Sequence, residues 1–254
     1  MPRRAPPTIA LVSVPGTLSE VDPLLRRAGV LLVRLASVRI QAVEPSEWLH
    51  RLLRTPRPDT VVITSRAAVN SGVRPWFRGS KPDLAALDFW AVGPETARAL
   101  REAGIRRVHR PRSVGALGIA RALGRAAPRN IVCFRSNAAG PRLARSLRSL
   151  GHRVSDVVVY RLESGPRFSE RSRRALVSAD LIVISSPSGL SEVRHRLDRT
   201  TFGKIAKTRR IVVLGERSLR SARGHGFRQV SVVPPTTAQR FTRHLLRELE
   251  HARA

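Results

Sequence analysis

Cysteine occurs once, at Cys133, so the chain can form neither an internal disulfide nor a cysteine metal cluster. Cys133 lies inside the apolar run "NIVCFRS", which suits a buried, inert thiol. Tyrosine also occurs once, at Tyr160, and aromatics make up only 4% of the residues. That is too few for the stacking surfaces of a single-strand nucleic-acid binder. Lysine is nearly missing: Lys81, Lys204 and Lys207 stand against 44 arginines. Acidic residues number 18 against 47 basic ones, which argues against paired catalytic carboxylates. The seven histidines are scattered and never pair at metal-ligand spacing, so no metal is expected. No run of 18 apolar residues exists, and "MPRRAPPTIALVSV" has no apolar region with a cleavage site. The expectation is therefore a cytoplasmic protein with no membrane partner.

Familiar catalytic motifs are missing as well. There is no phosphate loop, no nucleophile elbow and no His/Asp set for a serine. "VGALGIA" at 114–120 lacks the glycine spacing of a dinucleotide fingerprint. An enzyme on this chain must work by binding and orienting a reactive substrate.

What is present is a chain of 254 residues, 42% hydrophobic, with a formal net charge of +29. The length allows two ordinary domains, and the hydrophobic fraction allows a real core. The arginines are spread along the chain rather than gathered in one arm. With abundant Ala, Pro and Gly, this imbalance fits a compositional GC bias. The charge nonetheless attracts polyanions, steers acidic substrates and binds nucleic acid without sequence preference at low salt.

Short β-branched runs alternate with longer amphipathic stretches. Strands are predicted at 8–13, 30–35, 60–64, 88–92, 130–134, 153–159, 180–184, 210–214 and 229–233. Helices are predicted at 18–28, 45–53, 66–77, 94–103, 114–124, 141–150, 168–178, 188–197, 216–224 and 236–250. This alternation predicts α/β architecture, a parallel sheet with helices on both faces.

The chain also resembles itself. "TIALVSVPGTLSEVDPLLRRAGVLLVRL" matches "NIVCFRSNAAGPRLARSLRSLGHRVSDV", with Ile9 opposite Ile131 and Gly29 opposite Gly151, an offset of 122. Gly93 and Gly104 match Gly215 and Gly226 at the same offset, and Ser65 matches Ser186 at 121. A near-constant offset this long implies an internal duplication and two lobes with a cleft.

Both copies place small polar residues where a strand hands over to a helix. In "FWAVGPETARALREAG", Gly93 suits the N-cap and Pro94 the first helical position, with Thr96 in the first turn. Thr64 and Ser65 match Ser185 and Ser186, and "SSPSGL" has Ser186 at an N-cap. Capping alone accounts for these residues. Free N–H groups at the carboxyl ends of parallel strands also bind anions.

Taken in order, strand–"TS"–helix, "VGPETARALREAG", "VSDVVVYR" and "SSPSGL" resemble the uroporphyrinogen-III synthase family over nearly the whole chain. The resemblance implies two flavodoxin-like lobes joined by a two-stranded connector near 36–43 and 158–165. Residues 1–36 with 166–254 would form a discontinuous lobe, and 37–165 the inserted one. It implies a cofactor-free lyase that cyclises hydroxymethylbilane to uroporphyrinogen III. The substrate loses a hydroxyl to give an azafulvene, and ring D is inverted through a spiro intermediate. Substrate and product carry eight carboxylates, which suit arginines and exposed helix starts.

By the same resemblance Tyr160 is the catalytic candidate. From the residue alone, packing or a connector hydrogen bond is the favoured role, and the resemblance reverses that balance. Thr64, Ser65, Arg66, Gly93, Thr96, Arg135, Ser186, Ser188, Gly189 and Ser218 are the substrate-binding candidates. "LGERSL" departs from the Gly-Pro-Thr-Thr-Ala run common in the family, keeping a hydroxyl at Ser218 but no Pro or Ala. The implied protein partner is hydroxymethylbilane synthase, in transient contact, and the expected state is a monomer. Two rivals differ in class. One is a lobe pair that binds a tetrapyrrole or another acidic ligand without catalysis. The other, a nucleic-acid binder, rests on charge alone, so no specific nucleic acid is expected.

Overall fold

The β-branched runs "TIALVS", "TVVI", "LIVI" and "RIVVL" are all strands in the structure. This computed structural model describes residues 5–53, 57–80, 86–113, 115–124, 127–234 and 236–253. Along the chain the strands are β1 (Thr8–Ser13), β2 (Leu31–Ala36), β3 (Val38–Ala42), β4 (Thr60–Ile63) and β5 (Asp88–Ala91). They continue with β6 (Val108–His109), β7 (Asn130–Ser136), β8 (Arg153–Ser164), β9 (Leu181–Ile184), β10 (Arg210–Leu214) and β11 (Gln229–Val233). The chain divides into two units, residues 1–39 with 163–254, and residues 40–162.

The sheet of the first unit runs β11-β10-β9-β1-β2, and its pairs are parallel. Counted along the chain this is the order 2-1-3-4-5, the flavodoxin-like winding. The sheet of the second unit runs β3-β8-β7-β4-β5-β6. Its pairs from β8 to β6 are parallel, and with β7 counted first the order is again 2-1-3-4-5. The registers correspond as well. Ile9 pairs with Leu32 and Leu181 in one sheet, and Ile131 with Val154 and Thr60 in the other. Ile211 pairs with Val230 as Phe89 pairs with Val108. Positions aligned by the sequence offset thus occupy the same rungs.

Alternation along each strand feeds two faces, as the period of two requires. In the first unit Ile182, Ile184, Ile211 and Val213 pack with Leu190, Val193 and Phe202. Leu181, Val183 and Val212 pack on the other face with Phe241, Leu245 and Leu249. In the second unit Val61 and Ile63 join Trp48, Phe89 and Phe134, while Val62 and Cys133 join Ile119, Leu123 and Leu147. Each such side chain contributes about 1.5–3 kcal/mol when fully buried. Burial pushes the Cys133 thiol up to about 12, so it is a packing residue.

The structure adds elements that periodicity did not mark: β3, β6 and the helix Arg199–Thr208. The helix expected at 18–28 spans Val21–Arg27, because Leu18 has φ of 59° and belongs to a turn. The helix expected at 66–77 runs on through a π turn, Val69–Val73, into Arg74–Ser80. Gly72 lies in that turn because a Cβ there would stand 3.0 Å from the Phe134 ring and 3.1 Å from Val159. Val114, the first residue of the helix expected at 114–124 and of "VGALGIA", lies outside the described residues.

Candidate active site

Flavodoxin-like sheets bind ligands at the carboxyl ends of their strands, where the strand order reverses. In the second unit that point lies between β7 and β4. Thr64 follows β4 and is held there twice: its backbone N–H and its hydroxyl both donate to the Phe134 carbonyl, at 3.3 and 3.1 Å. Ser65 is the N-cap of the helix starting at Arg66, its Oγ accepting the Ala68 N–H at 3.0 Å. Next along the sheet, Gly93 caps the helix Pro94–Glu102 in extended conformation, with Pro94 at its start. Thr96 lies buried in that first turn, 4% exposed.

Tyr160 reaches this group through a defect in the sheet. Arg135 of β7 pairs with Val158, but the next residue, Ser136, pairs with Tyr160, leaving Val159 as an extra residue. Such a bulge bends a strand and re-aims the side chains beyond it. Val159 and Tyr160, although consecutive, both join the core of Val61 and Ile63. The Tyr160 hydroxyl then lies 2.9 Å from the Ser65 Oγ at the end of β4, with β7 lying between β8 and β4 in the sheet. A phenol, a serine hydroxyl and a helix N-terminus therefore form one connected group.

Two predicted arginines are engaged in ion pairs. Arg66 donates to Glu95 at 3.2 Å, and Glu95 also faces Arg98 at 3.6 Å. The Arg66 Nε is buried with no acceptor among the described residues. Arg135 grips Asp156 with both arms of its fork, at 2.6 and 2.8 Å, and donates to the Ser136 carbonyl. The hydrogen bond to Asp156 raises the Arg135 guanidinium above its usual value.

The first unit repeats the arrangement. Ser185 donates its N–H to the Val12 carbonyl as Thr64 does to Phe134. Ser186 caps the helix Pro187–Arg196, accepting the Gly189 N–H at 3.1 Å. Its hydroxyl partner is Ser188, at 3.0 Å, where Ser65 has Tyr160. Gly189 is buried, with room for a Cβ limited by Ile184 at 3.2 Å and Ser186 at 3.3 Å. Ser218 sits 1% exposed in the first turn of the helix Gly215–Gly224, matching Thr96. That helix has no side-chain cap, and Gly215 there has φ of 73°, unlike extended Gly93.

Sequence reasoning missed other polar residues that follow the strands beside each reversal. Ser136 ends β7 and caps the short turn Asn137–Ala139. Asn137 accepts the N–H groups of Ala138 and Leu162, both at 2.9 Å. In the first unit Ser37 is 1% exposed and its hydroxyl has no partner among the described residues. "RSNAAG" contained the Ser-Asn turn signal. Nothing local marked Ser37. Among the described residues no His, Cys, Asp or Glu group gathers as metal ligands would, and no helix is long and apolar enough to cross a membrane.

The chain is similar to solved structures of uroporphyrinogen III synthases. A mutant uroporphyrinogen III synthase from Thermus thermophilus aligns at 17% identity and a TM-score of 0.58, covering 96% of this chain and 99% of that one. Uroporphyrinogen-III synthetase from Helicobacter pylori aligns at 14% identity and a TM-score of 0.60, covering 94% and 99%. At such identities the likeness concerns the fold. No curated protein matches the sequence. The family model described as Uroporphyrinogen-III synthase HemD matches residues 19–242. With that match over most of its length, the chain belongs to the uroporphyrinogen-III synthase family, the cyclising lyases of porphyrin biosynthesis.

Proposed function

We propose that Tyr160 is the acid of the family's reaction in this chain and that the strand-end helix starts hold its substrate. The observation carrying this reading is the 2.9 Å contact between Tyr160 and Ser65. Ser65 already accepts a backbone N–H, so its own proton is free to go to the phenol oxygen. The phenol O–H is then free to donate to the hydroxyl leaving hydroxymethylbilane. The pyrrole nitrogen pushes out that hydroxyl, which departs as water and leaves an azafulvene cation. Ring D attacks through its substituted carbon, fragmentation and reclosure of the spiro intermediate invert it, and the proton lost from ring D's unsubstituted carbon on closure returns to the phenolate. A hydrogen-bonding acid suffices because the pyrrole supplies the electrons.

The eight carboxylates need donors rather than a base. Arg66, Ser186 and Ser188 offer side-chain donors, Thr64, whose proton goes to the Phe134 carbonyl, holds the strand end in place, and the first turns after Gly93 and Ser186 offer backbone N–H groups. Thr96 and Ser218 are buried and serve by shaping the first turns of Pro94–Glu102 and Gly215–Gly224; Gly189 lets the Ser186 turn close. A substrate carboxylate competes with Glu95 for Arg66. Arg135 is committed to Asp156, so we place it outside the binding set. The reading includes no cofactor, a cytoplasmic monomer, and substrate handed over in transient contact with hydroxymethylbilane synthase.

The test is Tyr160→Phe. Acid assistance contributes about 10²–10⁴-fold, and the pyrrole push places this case near the low end. We expect roughly a hundredfold slower formation of type III product, with type III still the isomer formed. An unchanged rate would leave Tyr160 as a packing residue.

A further inference from the structure

Leu31, Leu117 and Leu150 are the large apolar side chains that the described chain leaves exposed, at 53%, 65% and 45%. Two of the three, Leu117 and Leu150, line one groove of about 810 Å³ in the second unit. Trp90 of β5 lines it too, together with Arg110, Arg112 and Arg121. These arginines are exposed, and none has a hydrogen-bond or ion-pair partner among the described residues. Arg107, His109 and Arg129, by contrast, all face Asp88.

The groove is held in shape rather than being a gap under a loose loop. A Cβ on Gly118 would stand 1.8 Å from the Ser113 carbonyl oxygen, so only glycine lets the loop carrying Arg110 and Arg112 close onto the helix Ala116–Leu123. That closure brings Arg112 and Arg121 to one groove. Trp90 is fixed by stacking on His109, at 5.1 Å between centroids and 24° between planes.

Three guanidinium groups without a partner among the described residues call for several carboxylates, which their forks bind in pairs. Two exposed leucines and an indole call for an apolar body. A bare phosphate leaves the leucines uncovered, and an acyl chain leaves the arginines unpaired. The volume falls in the range of about 300–1,000 Å³ usual for small-molecule sites. We propose that this groove is a second binding site, separate from the strand-end residues, for a molecule with an apolar body edged with carboxylates. If the proposed function holds, the porphyrinogen product has this chemistry, so the groove would retain product without taking part in turnover.

The probe is uroporphyrin III, the flat oxidised form of the product, titrated by calorimetry into the full chain. The unaltered protein should bind two equivalents. Arg112→Ala with Arg121→Ala, and separately Leu117→Ser, should each weaken one equivalent at least about tenfold. Melting curves and type III formation at saturating substrate should stay unchanged in both. Binding of a single equivalent by the unaltered protein, or two retained by both variants, overturns the proposal. Loss in the arginine variant alone overturns it too, because a polyanion site needs no leucine. Failure of the functional reading has a separate readout, the absence of type III product from the unaltered protein.

Discussion

Tyr160 and Ser65 share a hydrogen bond, and Ser65 also caps a helix, so the two residues should be coupled. Removing the phenol oxygen should cost about 1 kcal/mol, the net value of one hydrogen bond. Ser65→Ala should cost about 0.5–2 kcal/mol as a lost cap. The double variant should lose less than the sum of the two, by about 0.5–1.5 kcal/mol, since the shared bond can be lost only once. Ser186→Ala should destabilise comparably but add to Tyr160→Phe without coupling, because its partner is Ser188. Chemical denaturation of these variants beside the unaltered protein decides this, and strict additivity at Ser65 would contradict the geometry. The cap at Ser65 was legible in "TSRAA", a local signal. Its bond to Tyr160 was not, because the residues lie far apart in sequence and meet only through a bulge that no periodicity encodes.

Elements are fastened where the strands of the second unit begin. Asp88 opens β5 and receives Arg129 at 2.6 Å and His109 at 3.3 Å, while Arg129 also donates to Thr60 of β4. The hydrogen bond from Arg129, against the opposing effect of burial, holds the Asp88 carboxyl below its ordinary 3.8. A depressed native value means that the stabilisation is present above the unfolded-state value and fades as pH falls through the native one. Melting temperature should therefore drop below about pH 4 in the unaltered protein. Asp88→Asn should melt lower at neutral pH and show a shallower drop in acid; parallel curves would assign the acid response to other carboxylates. At this scale the sequence was informative for long, strongly patterned segments. The β-branched strands came out within a few residues because both faces of a parallel strand are apolar. β3 was invisible to pattern because "VRIQA" is mostly exposed, and β6 because it is two residues long. The helix Arg199–Thr208 carries several threonines and a glycine, poor helix formers, and owes its place to the Asp198 cap and to Phe202, Ile205 and Ala206 in the core. Its apolar spacing and N-terminal aspartate were a usable signal.

At the scale of the molecule, the chain leaves the first unit near residue 39 and returns near 163. Arg196 fastens both stretches, donating to the Ala36 carbonyl at 2.6 Å and the Pro166 carbonyl at 2.7 Å while lying 3.9 Å over the Phe168 ring. Burial lowers its guanidinium from the usual value, so the charge is held there against desolvation. Arg196→Ala should cost about 1–3 kcal/mol, because two charge-assisted bonds and a stacked cation are lost together. A melting curve within error of the unaltered protein would remove Arg196 from this role. The net charge of +29 acts over longer range. Retention on duplex DNA should fall steeply from low to moderate salt and ignore sequence, as counterion release requires. A sequence-selective complex that survives high salt would contradict a purely electrostatic origin. The central claim is that this chain directs ring closure with inversion of ring D. Enzymatically made hydroxymethylbilane, supplied to the purified protein and then resolved into its product isomers, tests it most directly. Type III uroporphyrinogen is the predicted product; type I alone, the outcome of unassisted closure, would contradict the account.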